Sequence, residues 1–199
     1  MRPQTSGDTN VINSYERYLE YLEADRISRG RGKTLRSSLF DDIWRFQRLM
    51  RRLEYVTNCH KSCILRAFLT YRYRKLGIRL GYSIPINVFG PGLAIVHVGT
   101  IVVNEGARVG ANCRLHAGVN IGTKAGTSSE TPSIGDNCYI GPGVKMFGRI
   151  VIGPNMAIGA NAVVNKSFPA GNATIGGIPA KIISSKTSEG LLVKGANVS

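Results

Sequence analysis

The sequence has 199 residues and a formal net charge of +14, from 26 Lys and Arg against 12 Asp and Glu. Its length suits one domain with an attached segment, and no apolar stretch approaches the roughly 20 residues of a membrane-spanning helix. The first ten residues lack the apolar core of a secretory signal. We therefore predict a cytoplasmic protein, either free or peripheral at a membrane.

Most of the positive charge lies in residues 1–80, which hold 17 of the Lys and Arg and 8 of the Asp and Glu. A basic surface attracts several kinds of polyanion. The sequence has neither a zinc-finger spacing nor the aromatic motif of an RNA-recognition domain. We therefore expect no nucleic-acid partner. A solvated face, an anionic membrane and a phosphorylated cofactor are the alternatives for this charge.

Three amphipathic helices are predicted after a polar start at residues 1–13. The first covers 14–25 and precedes a basic, Gly-containing linker at 26–37. The second begins at Ser38, three residues before Asp41, and continues to about residue 56. The third covers about 61–76 and stops at Gly77. Such helices need a surface to cover, which is the open first coil of the following domain, an oligomer contact or a membrane.

A six-residue period governs the second half of the chain. Aliphatic residues return at this spacing at Val103, Val109, Leu115 and Ile121, and again at Ile134, Ile140, Met146, Ile152, Ile158 and Val164. This period fits neither an α-helix nor an alternating strand. It is typical of a solenoid of short parallel strands, in which the aliphatic side chain points inside and glycine forms the corner. We predict an all-β solenoid, whose chemistry must lie on its surface or between copies.

The predicted domain boundaries follow from this period. We expect a helical segment at 1–80, the solenoid at 81–186 with an irregular first coil at 83–96, and a flexible tail at 187–199. The period breaks at 123–133, where Ile121 and Ile134 are thirteen residues apart instead of twelve. The added length is rich in Gly, Ser and Thr and predicts a small loop that leaves the rod.

Two of the three histidines are the candidates for chemistry. His97 and His116 are nineteen residues apart, which is one coil of three hexapeptides plus one residue, so we expect the rings roughly 5–7 Å apart on adjacent coils. His116 stands where most repeats have Gly, whereas the period places His97 at an inward position. An imidazole can remove a hydroxyl proton near neutral pH, and Glu105 is a candidate to orient it. Structural roles for all three side chains are the alternative.

A metal site is not expected, because zinc needs three or four close nitrogen or sulfur ligands. Cys113 and Cys138 point inward by the period, and we expect all four cysteines to be reduced thiols. The glycine corners are expected to leave backbone N–H groups approachable for a long phosphorylated cofactor, with lysines nearby. These corners and lysines are Gly141, Gly153, Gly159, Gly176, Gly177, Lys124, Lys145, Lys166 and Lys181.

Five stretches within residues 81–183 carry a more specific signal: His97–Val103 followed by Glu105, Val119–Gly122, Ile134–Asn137, Ile140–Gly143 and Gly177–Lys181. Together they resemble the hexapeptide acyltransferases, and in particular the serine acetyltransferase-like group. The resemblance implies a left-handed parallel β-helix, an exception to the usual right-handed crossover. It also implies a homotrimer or a dimer of trimers, acetyl-CoA as co-substrate, no required metal, and active sites in the grooves between subunits.

The resemblance further implies roles for particular residues. The residue matching His97 removes the proton of the acceptor hydroxyl, whose oxygen attacks the thioester while backbone N–H groups stabilise the oxyanion. His116 is the second candidate base, and Glu105 is a candidate partner. The candidate lining of the acetyl-CoA path is Thr123, Lys124, Gly141, Pro142, Gly159, Gly177, Ile178, Pro179 and Lys181. Asn87 and Asn120 are the candidate acceptor-binding residues.

Two departures from the family pattern bear on the acceptor. Serine acetyltransferases carry an Asp-Ile-His-Pro stretch whose Asp pairs with the catalytic His, whereas residues 83–86 read Ser-Ile-Pro-Ile here. Asn87 or Glu105 is left as a substitute. Their Arg-His-Pro stretch, which grips a carboxylate, reads Glu-Thr-Pro at 130–132, with the wrong sign of charge. We therefore predict an O-acetyltransferase of sugar or polysaccharide hydroxyls. The alternatives are a serine O-acetyltransferase and, in another class, a non-catalytic interaction or assembly protein.

Overall fold

The computed structural model describes residues 11–30, 41–60, 62–127 and 129–198. Three helices come first: α1 (Tyr15–Ser28), α2 (Asp42–Cys59) and α3 (Cys63–Leu80). Each begins after a residue whose side-chain oxygen accepts an N–H of the first turn, namely Ser14, Asp41 and Ser62, as helix N-termini require. Within the described residues, no helix is both long and apolar enough to span a membrane.

The three predicted helices are present, but several of their ends differ from the prediction. Helix α1 continues to Ser28, into the predicted linker, and α2 continues to Cys59. The N-cap of α2 is Asp41, and the predicted start at Ser38 lies outside the described residues. Helix α3 passes through Gly77 and ends at Gly81, which adopts the left-handed conformation that suits glycine. Gly77 serves packing instead, because a Cβ there would lie 2.9 Å from the carbonyl oxygen of Tyr82.

Fourteen short strands follow: β1 (Tyr82–Ser83), β2 (Ala94–Ile95), β3 (Ile101–Val103), β4 (Arg108–Val109), β5 (Arg114–Leu115), β6 (Asn120–Gly122), β7 (Ser133–Ile134), β8 (Tyr139–Ile140), β9 (Lys145–Phe147), β10 (Val151–Ile152), β11 (Ala157–Ile158), β12 (Val163–Val164), β13 (Thr174–Gly176) and β14 (Lys181–Ser184). They form sheet A (order β1-β3-β6-β9-β12), sheet B (β10-β7-β4) and sheet C (β14-β13-β11-β8-β5-β2). Pairing is parallel throughout, except between β13 and β14.

The chain passes through the three sheets in turn. Each strand from β2 to β9 pairs with the strand three places later, and single bridges at Phe89 and Phe168 extend sheet B at both ends. The result is a three-sided coil, as the six-residue period predicts. The left-handed sense of this coil stays a prediction.

The interior of the coil is built from the predicted aliphatic rows. Leu115, Ile140 and Ile158 are in register in sheet C and fully buried. Cys113 and Cys138 fill the inward positions two residues earlier, which confirms their predicted orientation. Burial raises the pKa of the Cys138 thiol to about 12, so the thiol stays protonated inside the coil.

The break in the period is larger than the sequence suggests. Ile121 of sheet A and Ile134 of sheet B are inward residues of consecutive strands. The spacing of thirteen residues therefore replaces one six-residue step, and the loop adds seven residues to a single side of the coil. The prediction of one added residue over two steps was wrong, because spacing does not reveal how many strands a gap contains.

One edge of the coil, between sheets B and C, is held by a ladder of asparagine amides. Asn112 donates to Asn137 (2.9 Å), Asn137 to Asn155 (3.0 Å) and Asn155 to Asn172 (2.9 Å). All four residues have positive φ, a conformation that Asn tolerates better than most residues. We call this the asparagine edge.

Helices α1 and α2 cover the open end of the first coil through a buried arginine. The guanidinium of Arg51 donates to Asp25 (2.9 and 3.2 Å) and Glu54 (3.0 Å). It also donates to the carbonyl oxygens of Phe89 (2.9 Å) and Gly90 (2.7 Å) in the first coil. All three charged side chains are buried, and we call them the Arg51 cluster.

The same helices satisfy further backbone groups of the first coil. Asp25 accepts the N–H groups of Gly92 (2.9 Å) and Leu93 (2.8 Å). Gln47 donates to the Leu93 carbonyl (2.7 Å) and accepts the Ile95 N–H (3.4 Å). Within the described part of the chain no earlier coil pairs with these groups, and buried backbone groups need partners. Of the predicted alternatives for the helices, covering the first coil is therefore confirmed.

The segment at 187–198, expected as a flexible tail, packs back onto the coil. Ser188 is buried and donates to the Asn137 carbonyl (2.5 Å). The N–H groups of Gly195 (3.0 Å) and Ala196 (2.9 Å) donate to the side-chain oxygen of Asn112. These partners lie on the asparagine edge, which the sequence did not reveal.

Replacing Arg51 with Met should lower the free energy of unfolding by about 3–5 kcal/mol, because two buried carboxylates would lose their cation. Urea denaturation followed by circular dichroism measures the loss. Arg52→Met is the matched control, since Arg52 is exposed, and its effect should stay within about 0.5 kcal/mol. Equal losses in the two variants would show that the cluster does not secure the helices to the coil.

Candidate active site

Most of the predicted site residues lie on one edge of the coil. The turns that lead from sheet C to sheet A cover 96–100, 116–119, 141–144 and 159–162, and we call them the histidine edge. The turn at 177–180 extends this edge, because Val163 donates to the Gly177 carbonyl (3.0 Å) and Ala180 donates to the Val163 carbonyl (2.8 Å). His97, His116, Gly141, Pro142, Gly159, Gly177, Ile178 and Pro179 all belong to this row of turns.

His97 and His116 are neighbours on adjacent coils. Their ring centroids are 6.0 Å apart with the planes at 50°, within the predicted range. On the next coil the ring of Tyr139 lies 5.0 Å from that of His116. Tyr139 is not among the residues that the sequence predicts for the site, although its register opposite Arg114 places it on the outer face of sheet C beside this edge.

An extended turn brings His97 to the surface. The inward residues Ile95 and Val103, which flank this turn, are eight residues apart, whereas Leu115 and Ile121 on the next coil are six apart. The two extra residues release His97 from the inward position that the period assigned to it, and its side chain is exposed. The hydroxyl of Tyr82 donates to the His97 carbonyl oxygen (2.8 Å) and fixes the backbone of the turn.

His116 lies in a more enclosed and positively charged setting. Its side chain is half-buried, and burial, followed by Arg114 and His97, lowers the pKa of the imidazole. Neither the His116 Nε2 nor the Arg114 Nε has a hydrogen-bond partner among the described residues.

The predicted partners of His97 lie elsewhere. Glu105 is exposed on the turn after β3, at the opposite end of this strand from His97. Asn87 is bound to helix α2, because its amide exchanges hydrogen bonds with Asn58 (2.9 and 3.1 Å) and its N–H donates to Glu54 (2.8 Å). Within one chain, neither residue is placed to orient the His97 ring. The six-residue period could not reveal this, because it does not show on which edge of the coil a given turn lies.

A second edge carries the remaining candidates. The turns that lead from sheet A to sheet B cover 104–107, 123–132 and 148–150, and we call them the loop edge. Thr123 and Lys124 open its long loop, where Thr131 donates to the Gly106 carbonyl (2.9 Å). Asn120 lies between the two edges, exposed on the outer face of sheet A in register with Val102 and Lys145. Lys181 is exposed at the start of β14.

Three of the five predicted glycine corners use their backbone N–H groups within the coil. The N–H groups of Gly141, Gly153 and Gly159 donate to carbonyl oxygens of the next coil at 2.8–2.9 Å. Glycine is needed at position 141 for close approach, because a Cβ there would lie 2.6 Å from the Ile158 carbonyl oxygen. Among the described residues, no three His, Cys, Asp or Glu side chains gather as a metal site.

Comparisons with known proteins agree with this arrangement. No protein-family model matches the sequence. The chain is 37% identical over 95 residues to the serine acetyltransferase of Synechococcus elongatus, covering 47% of this chain and 38% of that protein. It is 41% identical over 98 residues to the serine acetyltransferase of Staphylococcus xylosus, covering 47% and 44%. The solved serine acetyltransferase from Brucella abortus strain S19 in complex with coenzyme A has a TM-score of 0.68 and 25% identity, covering 86% of this chain and 68% of that one.

These matches confirm the resemblance to the hexapeptide-repeat, serine acetyltransferase-like proteins. The matched segment spans less than half the length of the curated relatives. The matches do not support the predicted preference for a sugar or polysaccharide acceptor, and they support its alternative, serine, better.

His116 should titrate below the ordinary histidine value of 6.5, because burial and the nearby Arg114 and His97 disfavour its charged form. NMR titration of protein labelled at the histidine rings measures this pKa. His97→Asn should raise the pKa of His116, since a neighbouring imidazolium no longer opposes protonation. His60→Asn is the control and should leave it unchanged.

The lowered pKa of His116 also determines how the free energy of unfolding should change with pH. The unfolded chain binds a proton at position 116 more readily than the folded chain does, so the free energy of unfolding should fall as the pH drops through about 6.5. A His116 pKa at or above this value would contradict both expectations.

Proposed function

We propose that this chain is an acetyl-CoA-dependent O-acetyltransferase in which His97 is the general base. The observation that carries the proposal is the pair of imidazoles 6.0 Å apart on the histidine edge, within a coil that is 37–41% identical to proteins named serine acetyltransferase. The likeness to a serine acetyltransferase solved with coenzyme A supports the choice of acyl donor.

Accessibility favours His97 over His116 as the base. The His97 ring is exposed, whereas His116 is half-buried with its Nε2 enclosed. The His97 imidazole is therefore the one that the hydroxyl of a bound acceptor can reach.

The proposed reaction is direct transfer between two bound substrates. His97 takes the proton of the acceptor hydroxyl as the oxygen attacks the thioester carbonyl carbon, and a C–O bond forms. The C–S bond then breaks, and the proton on His97 passes to the departing thiolate. The products are the acetyl ester and free coenzyme A, and His97 is again neutral.

The histidine edge suits a long acyl donor that lies across the coils. Exposed Pro142 and Ala160, followed by Gly177 and Ile178, continue the row below the two histidines. Adjacent coils are about 4.8 Å apart, so these turns form a continuous row of small and apolar groups that ends near the cation of Lys181. We assign the binding site of the pantetheine arm to this row.

A homotrimer would bring the two edges together. Thr123, Lys124 and Glu105 lie on the loop edge, across sheet A from His97. We propose that a second copy presents its loop edge to the histidine edge of the first, so that each site is shared. The left-handed sense of the coil is part of this proposal, because it fixes which sheet faces the neighbouring copy.

L-Serine is the proposed first acceptor, in line with the names of the relatives. A sugar hydroxyl is the second candidate. The observation in its favour is Glu130, which lies on the long loop of the loop edge where the family pattern has an arginine that grips a carboxylate.

His97→Asn should lower kcat/KM for acetyl transfer by about 10²–10⁴-fold, because a positioned base is lost while the shape of the turn is kept. Release of coenzyme A thiol from acetyl-CoA, with serine and a panel of sugars as acceptors, measures the rate. His60→Asn should retain full activity. Activity that survives His97→Asn but not His116→Asn would assign the base to His116. Absence of thiol release with every acceptor would favour the non-catalytic alternative.

The substitution Glu130→Arg tests whether serine or a sugar is the acceptor. If serine is the acceptor, a cation at this position should lower the KM for serine by about tenfold, since a carboxylate gains one hydrogen bond from a charged donor. The KM for acetyl-CoA should not change. Glu189→Arg makes the same charge change on the exposed C-terminal segment and is the control. A lower KM for a sugar in place of serine would contradict serine as the acceptor.

A further inference from the structure

A cleft between α2 and α3 collects cations that the proposed reaction does not use. Its volume is about 440 Å³, and its charged lining consists of Arg45, Arg48, Arg52, Arg72, Lys75 and Arg79. Both helices contribute their cations at positions i, i+3 and i+7, which fall on one helical face. Among the described residues, no carboxylate lines the cleft. Asp42 lies at its rim, 2.8 Å from Arg45 and 2.9 Å from Arg79.

Crowding of like charge makes this cleft receptive to anions. Burial lowers the pKa of Arg48, and repulsion by the neighbouring Arg45 adds to this, while Asp41 acts in the opposite direction. Among the described residues, the six cations of the cleft outnumber the carboxylates beside them, which are Asp42 at the rim and Asp41 near Arg48. An anionic group in the cleft would relieve this repulsion, with an arginine fork available for each phosphate.

A strip of exposed apolar side chains runs along α3 beside the cleft. Ile64 is 86% exposed, Phe68 54%, Tyr71 63% and Ile78 82%, and their spacing places them on one side of the helix. Arg72 lies over the Phe68 ring at 5.6 Å, so the strip borders the cations directly. Helix α3 contains no acidic residue. A helix with exposed apolar residues flanked by cations is typical of binding to a membrane interface.

We propose that α2 and α3 dock this protein on an anionic membrane surface. Lipid phosphates occupy the cleft, and the side chains of Ile64, Phe68, Tyr71 and Ile78 enter the boundary between head groups and acyl chains. The apolar strip decides against a soluble polyanion, which would fill the cleft but leave Ile64 and Ile78 in water. Charge decides against a second copy, because pairing α3 with itself would bring two sets of cations together.

Vesicle co-sedimentation tests the proposal with the whole chain. Wild type should pellet with vesicles of phosphatidylcholine containing phosphatidylglycerol and not with phosphatidylcholine alone, and added salt should release it. The double variant Arg72→Glu with Lys75→Glu should bind at least about tenfold more weakly, since each cation near an anionic surface contributes to binding. Ile64→Ser with Ile78→Ser should weaken binding about tenfold through lost apolar burial.

Matched controls separate docking from changes in overall charge and in folding. Lys186→Glu with Lys194→Glu makes the same charge change at exposed positions outside the helices and should bind as wild type does. Acetyl transfer in solution should be unchanged in all of these variants, because none of the residues lies on the histidine edge or the loop edge. Circular dichroism checks that each variant is folded.

Three results would overturn the proposal. The first is equal binding to neutral and anionic vesicles, or no effect of the α3 charge reversal. The second is binding to inorganic polyphosphate without binding to anionic vesicles, which would assign the cleft to a soluble polyanion. The third is a change of assembly, measured by light scattering, in the Ile64→Ser with Ile78→Ser variant while vesicle binding persists. This would assign the strip to contacts between copies.

Discussion

The guanidinium of Arg51 has five N–H donors, and every one is used at the junction of the helices and the coil. Two buried carboxylates neutralise it, and these carboxylates in turn accept three N–H groups of the first coil. A coil of parallel strands ends in unpaired backbone groups that must be covered. The Arg51 cluster covers them, and it places α1 and α2 so that the first coil, which carries His97, begins in a defined conformation.

The candidate site arises where the regular coil is interrupted. Inward aliphatic residues return every six positions through most of the rod, and this regularity supplies a rigid support. Two added residues bring His97 into solvent, and seven added residues build the long loop. Departures from a repeat cost packing regularity, and proteins commonly accept such departures at functional sites. The proposed chemistry therefore depends on two insertions in an otherwise regular rod.

Charge divides the molecule into two surfaces with different proposed partners. The histidine edge exposes an imidazole beside small and apolar corners, which suits a long acyl donor. The cleft between α2 and α3 concentrates six cations beside apolar side chains, which suits an anionic interface. The helices contribute to both surfaces. Buried side chains of α1 and α2 hold the first coil, which carries His97, and the outer faces of α2 and α3 carry the cations of the cleft. A single segment thus stabilises the site and presents the second surface.

The sequence by itself determined the coil, the inward rows, the three helices and the closeness of His97 and His116, because each depends on spacing along one chain. It did not determine the Arg51 cluster, the asparagine edge or the packed C-terminal segment, because these join residues far apart in sequence. It also left Glu105 and Asn87 as candidate partners of His97, and the structure places both on other turns. Periodicity shows which residues point inward, but only the tertiary structure decides which turns lie on the same edge. The sequence does not show how many six-residue steps an insertion replaces, and this number determines the edge on which every later turn lies.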